Sequence, residues 1–378
     1  MRGFIRRRGP SWELRVYLGS HPVTGTKQYA TRTVRGTRHD AERVLRSMVD
    51  AVEQDAAGHA NATFGELCEA WLTAVAGRLA PNTVVETRRI LDRFLLPTLG
   101  EVRLRRLRSE HLDHLCAQLL HHGGRDGKPL AQGTVLRVYG VARRALRIGV
   151  LWGWITANPA NAITPPRDHP RPIRPPSPDE VGRLIAATRS ANPALASCLV
   201  VAVTTGARRG ELCGLRWTDI DLERGTLDIV RAIVLVNSTP QVMPTKSRRP
   251  RRIALDPLTA TELAAHRARA EQHATAAGVT LAADAFVFSH HPAGSQPWRP
   301  DSVTRAFRRL ARRNGLDGVR FHDLRHYVAT QLLTAGVDVR TVAGRLGHAH
   351  PSTTLNVYAA FLPHADQHAA ALMGQLLQ

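Results

Sequence analysis

The sequence predicts a multidomain protein, mainly α-helical with small β elements. Three observations predict it. At 378 residues the chain is too long for one hydrophobic core to be the default. Most of the stretch after residue 60 carries apolar residues at helical spacing, whereas β-type patterning is confined to residues 11–36 and to two short runs, 225–238 and 251–256. The segment "PPRDHPRPIRPPSP" (165–178) has seven prolines, so neither a helix nor a central strand can run through it, and it reads as an extended linker.

Taken in order, the first ten residues, "MRGFIRRRGP", carry charge with no apolar run behind it and predict no secretory signal. In "SWELRVYLGS", Trp12, Leu14, Val16 and Leu18 alternate with Glu13, Arg15 and Tyr17, the period of a half-buried strand. "HPVTGT" supplies a turn and "KQYATRTV" a second strand. A helix is expected from about Thr37, capped by Thr37 with Asp40. Residues 60–164 read as nearly all helix. "TFGE" (63–66) is a capping box, "TVVETRRILDRFLLPTLG" an amphipathic helix stopped by Pro97 and Gly100, and further helices are expected near 109–122 and 132–151. After the linker, "SPDE" is a second capping box, with Ser177 as the cap and Glu180 closing it. The last domain is mostly helical. Its apolar run at 194–203 is too short to span a bilayer and predicts a buried helix. Two β-rich runs flank "PTKSRRPRR" (244–252) and predict a hairpin with Lys246 at or near its tip.

The formal charge is +21, which calls for a polyanionic partner, nucleic acid first. Cys68, Cys116, Cys198 and Cys213 are far apart, which argues against a disulfide framework or a zinc site and suits a reducing cytosol. No Walker-type glycine loop occurs, and no carboxylate pair near the motifs below suggests a metal. Among 52 basic residues only Lys27, Lys128 and Lys246 are lysine.

Four segments of the last domain bear on chemistry. In "TTGARRGELCGLRWTDID" (204–221), Gly206 permits a tight entry, and Arg208 and Glu211 stand three apart on one helix face. The second segment holds Lys246. In "RFHDLRHYVATQLLTAGV", His322 and Arg325 share a face in the same way. In "TVAGRLGHAHPSTTLNVYAAF", a short helix ends at Gly347, His348 stands at the turn, and Ser352 caps a last helix carrying Tyr358. Each has an ordinary reading alone: a surface ion pair, a hydrogen-bonded structural histidine, a tyrosine anchoring an amphipathic helix. Together, in this order and spacing, they closely resemble the tyrosine recombinases, the phage-integrase family.

The resemblance implies a domain plan and a set of roles. Residues 1–58 would be an arm-type DNA-binding domain, a small three-stranded sheet plus a helix, which points to an integrase of a phage or integrative element. Residues 60–164 would be a helical, SAM-like core-binding domain, 165–176 the Pro/Arg-rich linker, and 177–378 a mixed α/β catalytic domain. Tyr358 would be the nucleophile, Arg208 and Arg325 the holders of the scissile phosphate, and His322 the proton acceptor, with His348 completing the ring. Glu211 would orient a neighbouring side chain and Lys246 would be the general acid. Arg209 and His350 are the rivals for register. Arg15, Arg32, Arg167, Arg171, Arg174, Arg248 and Arg249 are the expected DNA contacts. The implied partners are double-stranded DNA attachment sites, further copies of the chain in a homotetramer, and an excision factor or host DNA-bending protein. No cofactor, metal or membrane is implied, and the expected location is the bacterial cytoplasm. The alternatives are a type IB topoisomerase-like enzyme and a catalytically silent DNA-binding regulator.

The lone lysine then has a chemical reason. Arginine binds phosphate well but holds its proton too tightly to release it, whereas lysine can donate one to a departing oxygen. Binding alone tolerates a drift from lysine to arginine; proton donation does not.

Overall fold

The computed structural model of the chain describes all residues except 1–2, 21–26, 60, 166–173, 246–248, 349, 351, 353, 356–372 and 376–378. The chain divides into two compact units, Met1–Arg171 and Pro172–Gln378. Among the described residues no helix is long and apolar enough to cross a membrane.

The first unit opens with strands β1 (Phe4–Arg8), β2 (Ser11–Ser20) and β3 (Lys27–Arg35), an antiparallel sheet in sequence order, followed by helix α1 (Arg38–Gly58). Alternation places Leu14 and Val16 on the side that α1 covers, where both are fully buried with Ala41. Residue-level patterning had found two of these strands. The first, "FIRRR", is too charged to show alternation, yet it pairs along its length with β2. Thr37 and Asp40 cap α1 reciprocally: the Thr37 amide donates to Asp40 Oδ2 (3.0 Å) and the Asp40 amide to Thr37 Oγ1 (3.3 Å). The turn expected in "HPVTGT" lies outside the described residues.

The rest of that unit is a helical bundle: α2 (Phe64–Ala76), α3 (Pro81–Ile90), α4 (Leu96–Leu99), α5 (Ser109–His122) and α6 (Gln132–Leu151). The Thr63/Glu66 capping box starts α2 as its sequence requires. The expectation that Pro97 stops the third helix is corrected. Residues Leu91–Leu95 wind as a π-helix, α4 continues from it, and the run ends only at Gly100. Pro97 sits in this continuous run directly after the π-turn, and the rung its missing N–H forgoes does not end the helix. Phe64, Leu67, Leu91, Leu95, Leu99, Val135 and Leu146 form the core of this bundle, all at most 1% exposed.

In the second unit the Ser177/Glu180 capping box opens α7 (Pro178–Arg189). Helix α8 (Pro193–Thr205) is apolar on nearly every side and buried, as its composition demands. A short α9 (Arg209–Cys213) follows, and then the β elements: β4 (Ile220–Asp221), β5 (Thr226–Ile229), β6 (Arg231–Val236), β7 (Thr239–Pro244) and β8 (Arg251–Ala254). Strands β4, β5 and β8 make one sheet, while β6 and β7 make a separate hairpin. Its turn is Asn237–Ser238, both at positive φ, the geometry that two-residue hairpins favour. The tip of this hairpin is Asn237–Ser238; Lys246, expected at or near a hairpin tip, lies outside the described residues. Helices α10 (Pro257–Ala276), α11 (Pro300–Arg313), α12 (Asp323–Thr334) and α13 (Val339–Leu346) complete the described elements.

Leu146 is fully buried in α6. Truncation to alanine is expected to cost about 2–5 kcal/mol, the range for buried leucines. Urea unfolding followed by circular dichroism checks it, and a loss below about 1 kcal/mol would mean that the bundle closes over the gap.

Candidate active site

Two helices end at glycines in the left-handed conformation: α8 at Gly206 (φ 64°) and α13 at Gly347 (φ 69°). An added methyl at Gly206 would overlap Leu346, and one at Gly347 would meet the Arg251 guanidinium, so neither position has room for a side chain. The last carbonyls of a helix have no partner within it and carry the negative end of its dipole. Guanidiniums gather on them. Arg325, on α12 and 3% exposed, donates from Nη1 to Gly206 O (2.7 Å) and from Nη2 to Leu346 O (2.5 Å), so one side chain joins both helix ends. Arg208 Nη2 donates to Gly347 O at 3.3 Å. Arg345 Nη2 donates to Thr204 O at 2.9 Å.

Glu211 is the acidic centre of this cluster and is 1% exposed. Arg208 donates to it from its backbone amide (2.8 Å, to Oε2) and from Nη1 (2.9 Å, to Oε1). Arg251 adds Nη2 to Oε2 (2.7 Å) and Nη1 to Oε1 (3.2 Å). Burial by itself would raise the Glu211 pKa; the bonds from Arg251 and Arg208 outweigh it and hold the carboxyl below its usual range. The carboxylate therefore stays ionised between two cations, and Arg251, Arg208 and Arg325 together leave the site net positive.

Two imidazoles border the arginines. His322 lies perpendicular to His326, ring centres 5.0 Å apart. His348 follows Gly347; its amide donates to Ala343 O (2.9 Å) and its Nδ1 is hydrogen-bonded with Thr354 Oγ1 (2.8 Å). Burial first, then the charges of His326 and Arg325, lowers His322 to about 4. Burial first, then Arg325 and Arg208, lowers His348 to about 4 as well. Both rings are neutral at physiological pH, so either can accept a proton.

Residues 177–364 match the Phage integrase family, and residues 63–120 match the phage integrase N-terminal SAM-like domain. The chain belongs to the phage integrase family. It is 21% identical to the ICEBs1 integrase of Bacillus subtilis over 368 residues, 97% of each chain. It is 28% identical to a XerC-like tyrosine recombinase of Caldanaerobacter subterraneus over 195 residues, a match that spans 49% of that relative's length. Among solved structures, the fold is shared with the Tn1549 transposon integrase bound to transposon right-end DNA, at a TM-score of 0.69 and 18% identity, over 84% of this chain and all of that one. It is also shared with a lambda integrase dimer bound to a core site, at a TM-score of 0.60 and 17% identity, over 93% of each chain. Phage integrases are tyrosine recombinases, which sets the class of activity as site-specific DNA recombination; nothing in these matches favours a topoisomerase.

Within this phage integrase fold, Arg208, Glu211, His322, Arg325 and His348 come together. Arg208 rather than Arg209 meets Glu211; Arg209 turns away to the Thr304 hydroxyl on α11. His348 lies beside the arginines, and His350 is exposed. Lys246 and Tyr358 lie outside the described residues, as do Arg167, Arg171 and Arg248. Arg174 is exposed and paired with Glu180 (3.0 Å), and Arg249 is exposed. Arg15 and Arg32 do not share a surface. Arg15 pairs across the sheet with Phe4 and Thr31, on the face away from α1, whereas Arg32 pairs with Leu14, on the face that α1 covers. The one-residue offset between them decides this. Arg251 was missed. The signal was there: it stands two residues before the buried Ile253, so strand alternation turns it inward while Arg252 points out to Asp228.

The depressed histidines link pH to stability. Unfolded, these imidazoles take up protons near their ordinary 6.5; folded, they resist down to about 4. Stability from this source is present above 6.5 and is lost as pH falls from there towards 4. Urea unfolding at a series of pH values should show that decline, and His322→Asn should make it shallower. An unchanged slope in the variant would mean that His322 titrates normally in the fold.

Proposed function

We propose that the chain is the integrase of a phage or integrative element, cutting and rejoining DNA through a 3′-phosphotyrosyl intermediate to integrate or excise that element. The observation that carries this is the cluster itself: two guanidiniums from distant segments, Arg208 and Arg325, beside two neutral imidazoles, His322 and His348, with Arg208, Arg325 and His348 anchored on the end of α13 and His322 at the start of α12. A phosphodiester in attack gains charge on its non-bridging oxygens, and forked guanidiniums bind that charge more tightly as it develops. Tyr358 attacks phosphorus through its phenolic oxygen, His322 takes the phenolic proton, and the 5′-oxygen departs with a proton from Lys246. The new ester keeps the energy of the broken strand, so the attack of another 5′-hydroxyl rejoins it without ATP. Glu211 fixes the orientation of Arg208.

In this reading residues 1–58 bind arm-type sites, 60–164 bind the core site, 165–176 link them to the catalytic domain 177–378, and the site of action is the bacterial cytoplasm. The near full-length match to an integrase from an integrative element supports this plan. A lambda integrase neighbour forms a tetramer on a Holliday junction, and the same assembly is proposed here on double-stranded attachment sites, with an excision factor or host DNA-bending protein setting direction. The exposed face of the N-terminal sheet, where Phe4, Arg6, Arg8, Arg15 and Arg35 share a side with the Tyr17–Tyr29 pair, is suited to an arm site.

A nicked suicide DNA substrate tests the proposal. Wild-type protein should become covalently trapped; Tyr358→Phe should bind the same DNA and never be trapped. Trapping in that variant would reject the assigned nucleophile, and no trapping in the wild type would favour a silent regulator. Lys246→Arg should keep binding while cleavage slows by about 10²–10⁴-fold, the range for loss of a general acid. Cleavage at an undiminished rate would reject the proton-donor role.

A further inference from the structure

The ring of His348 is held from one edge by a residue that no role above absorbs. Its Nδ1 lies 2.8 Å from the hydroxyl oxygen of Thr354. Thr354 is 0% exposed, so that hydroxyl cannot turn to water. Among the described residues it has no hydrogen-bond partner besides this ring. The histidine is fixed at its backbone too. Gly347 takes the left-handed turn that ends α13, and the His348 amide then closes on Ala343 O at 2.9 Å.

Neutrality alone does not say which ring nitrogen carries the proton. In a neutral imidazole one nitrogen donates and the other accepts, and the partner of one decides the state of both. Two arrangements satisfy the contact with Thr354. If Nδ1 donated, the threonine hydrogen would be buried with no acceptor among the described residues, which is costly. If the hydroxyl donates, its hydrogen is used, Nδ1 is the acceptor, and the ring proton sits on Nε2. The second arrangement leaves nothing unpaired. It also suits the chemistry. With Nδ1 occupied, Nε2 is the nitrogen left for a ligand. A lone pair there would repel a phosphate oxygen, whereas an N–H binds it, more tightly as charge develops. We propose that Thr354 is a positioning residue for strand cleavage: its buried hydroxyl donates to Nδ1 of His348 and so fixes the tautomer in which Nε2–H meets a non-bridging oxygen of the scissile phosphate. Proton acceptance then falls to His322, as proposed above. This inference rests on the reading of the arginine–histidine cluster as a phosphodiester site.

Two measurements on the full chain test it. The first needs no DNA. In protein carrying nitrogen-labelled histidine, NMR reports the protonation of each ring nitrogen, and the His348 signals are identified by their loss in His348→Gln. At neutral pH the wild type should show Nε2 protonated and Nδ1 bare. Thr354→Ser should match it, and Thr354→Val should show both tautomers. A proton on Nδ1 in the wild type, or an unchanged tautomer in Thr354→Val, would overturn the proposal. The second measurement is single-turnover cleavage of a suicide half-site. Valine keeps the size of threonine but loses the hydroxyl; serine keeps the hydroxyl but loses a methyl. A packing role alone makes serine the worse substitute. The proposal predicts the reverse: Thr354→Val cleaves about 10–100-fold more slowly, the scale on which the partner of a functional imidazole matters, and Thr354→Ser stays near the wild-type rate. In a His348→Ala background Thr354→Val should cost nothing further. Serine worse than valine, or a full loss in that background, would overturn the role. Wild-type protein that shows the expected tautomer yet is never trapped on DNA would overturn the strand-cleavage reading, and the role of Thr354 with it, while the hydrogen bond itself would stand.

Discussion

A helix that ends inside a protein leaves carbonyls that something must satisfy. In the second unit α8 and α13 end close together, and arginines supply the donors. Arg325 is the keystone, because its two terminal nitrogens reach one carbonyl on each helix end. The left-handed glycines are what let the ends approach: at Gly206 the space a methyl would need is filled by Leu346, from the other helix. A buried guanidinium is costly unless hydrogen-bonded, and buried carbonyls are costly unless they accept. Each solves the other's problem. The same arrangement concentrates positive charge at one place.

Burial and that concentration together set the protonation states around it. An imidazole partly cut off from water, and then placed next to guanidiniums, cannot easily take a proton. His322 and His348 are thereby kept neutral without a partner tuned to each. A carboxylate in the same place is pushed the opposite way by the same cations, and Glu211 remains ionised despite near-complete burial. One cluster yields neutral imidazoles and a charged carboxylate at the same pH.

Much of this was legible in the sequence where the controlling physics is local. Capping boxes at Thr63 and Ser177, the buried α8, and the spacings Arg208–Glu211 and His322–Arg325 depend on residues within a few positions, and they form as read. What escaped depends on partners far along the chain. The strand Phe4–Arg8 has no alternation of its own and is a strand because β2 offers it an edge. Residues 225–238 read as one β run, yet Val230 separates two strands of different sheets, since each half finds a different partner. Pro97 looks like a stop from its chemistry alone, but the helical run passes through it after a π-turn and ends at Gly100. Arg15 and Arg32 are both basic residues on strands, and only the register shows that they face opposite ways.

The arginine bias of the chain then acquires a structural meaning beyond charge. A guanidinium is planar, with nitrogens that point in several directions, so it can bridge two helix ends or grip both oxygens of a carboxylate. Arg325 does the first and Arg251 the second. A lysine in either place would offer a single ammonium where two separated acceptors must be met. It would also lose its proton more readily once removed from water, undoing the charge on which the neutral histidines depend. Arginine is thus required where the fold needs a cation that never gives up its proton. The same property disqualifies it for a step in which a proton must leave, and in the function proposed above that division of labour separates Arg208 and Arg325 from Lys246.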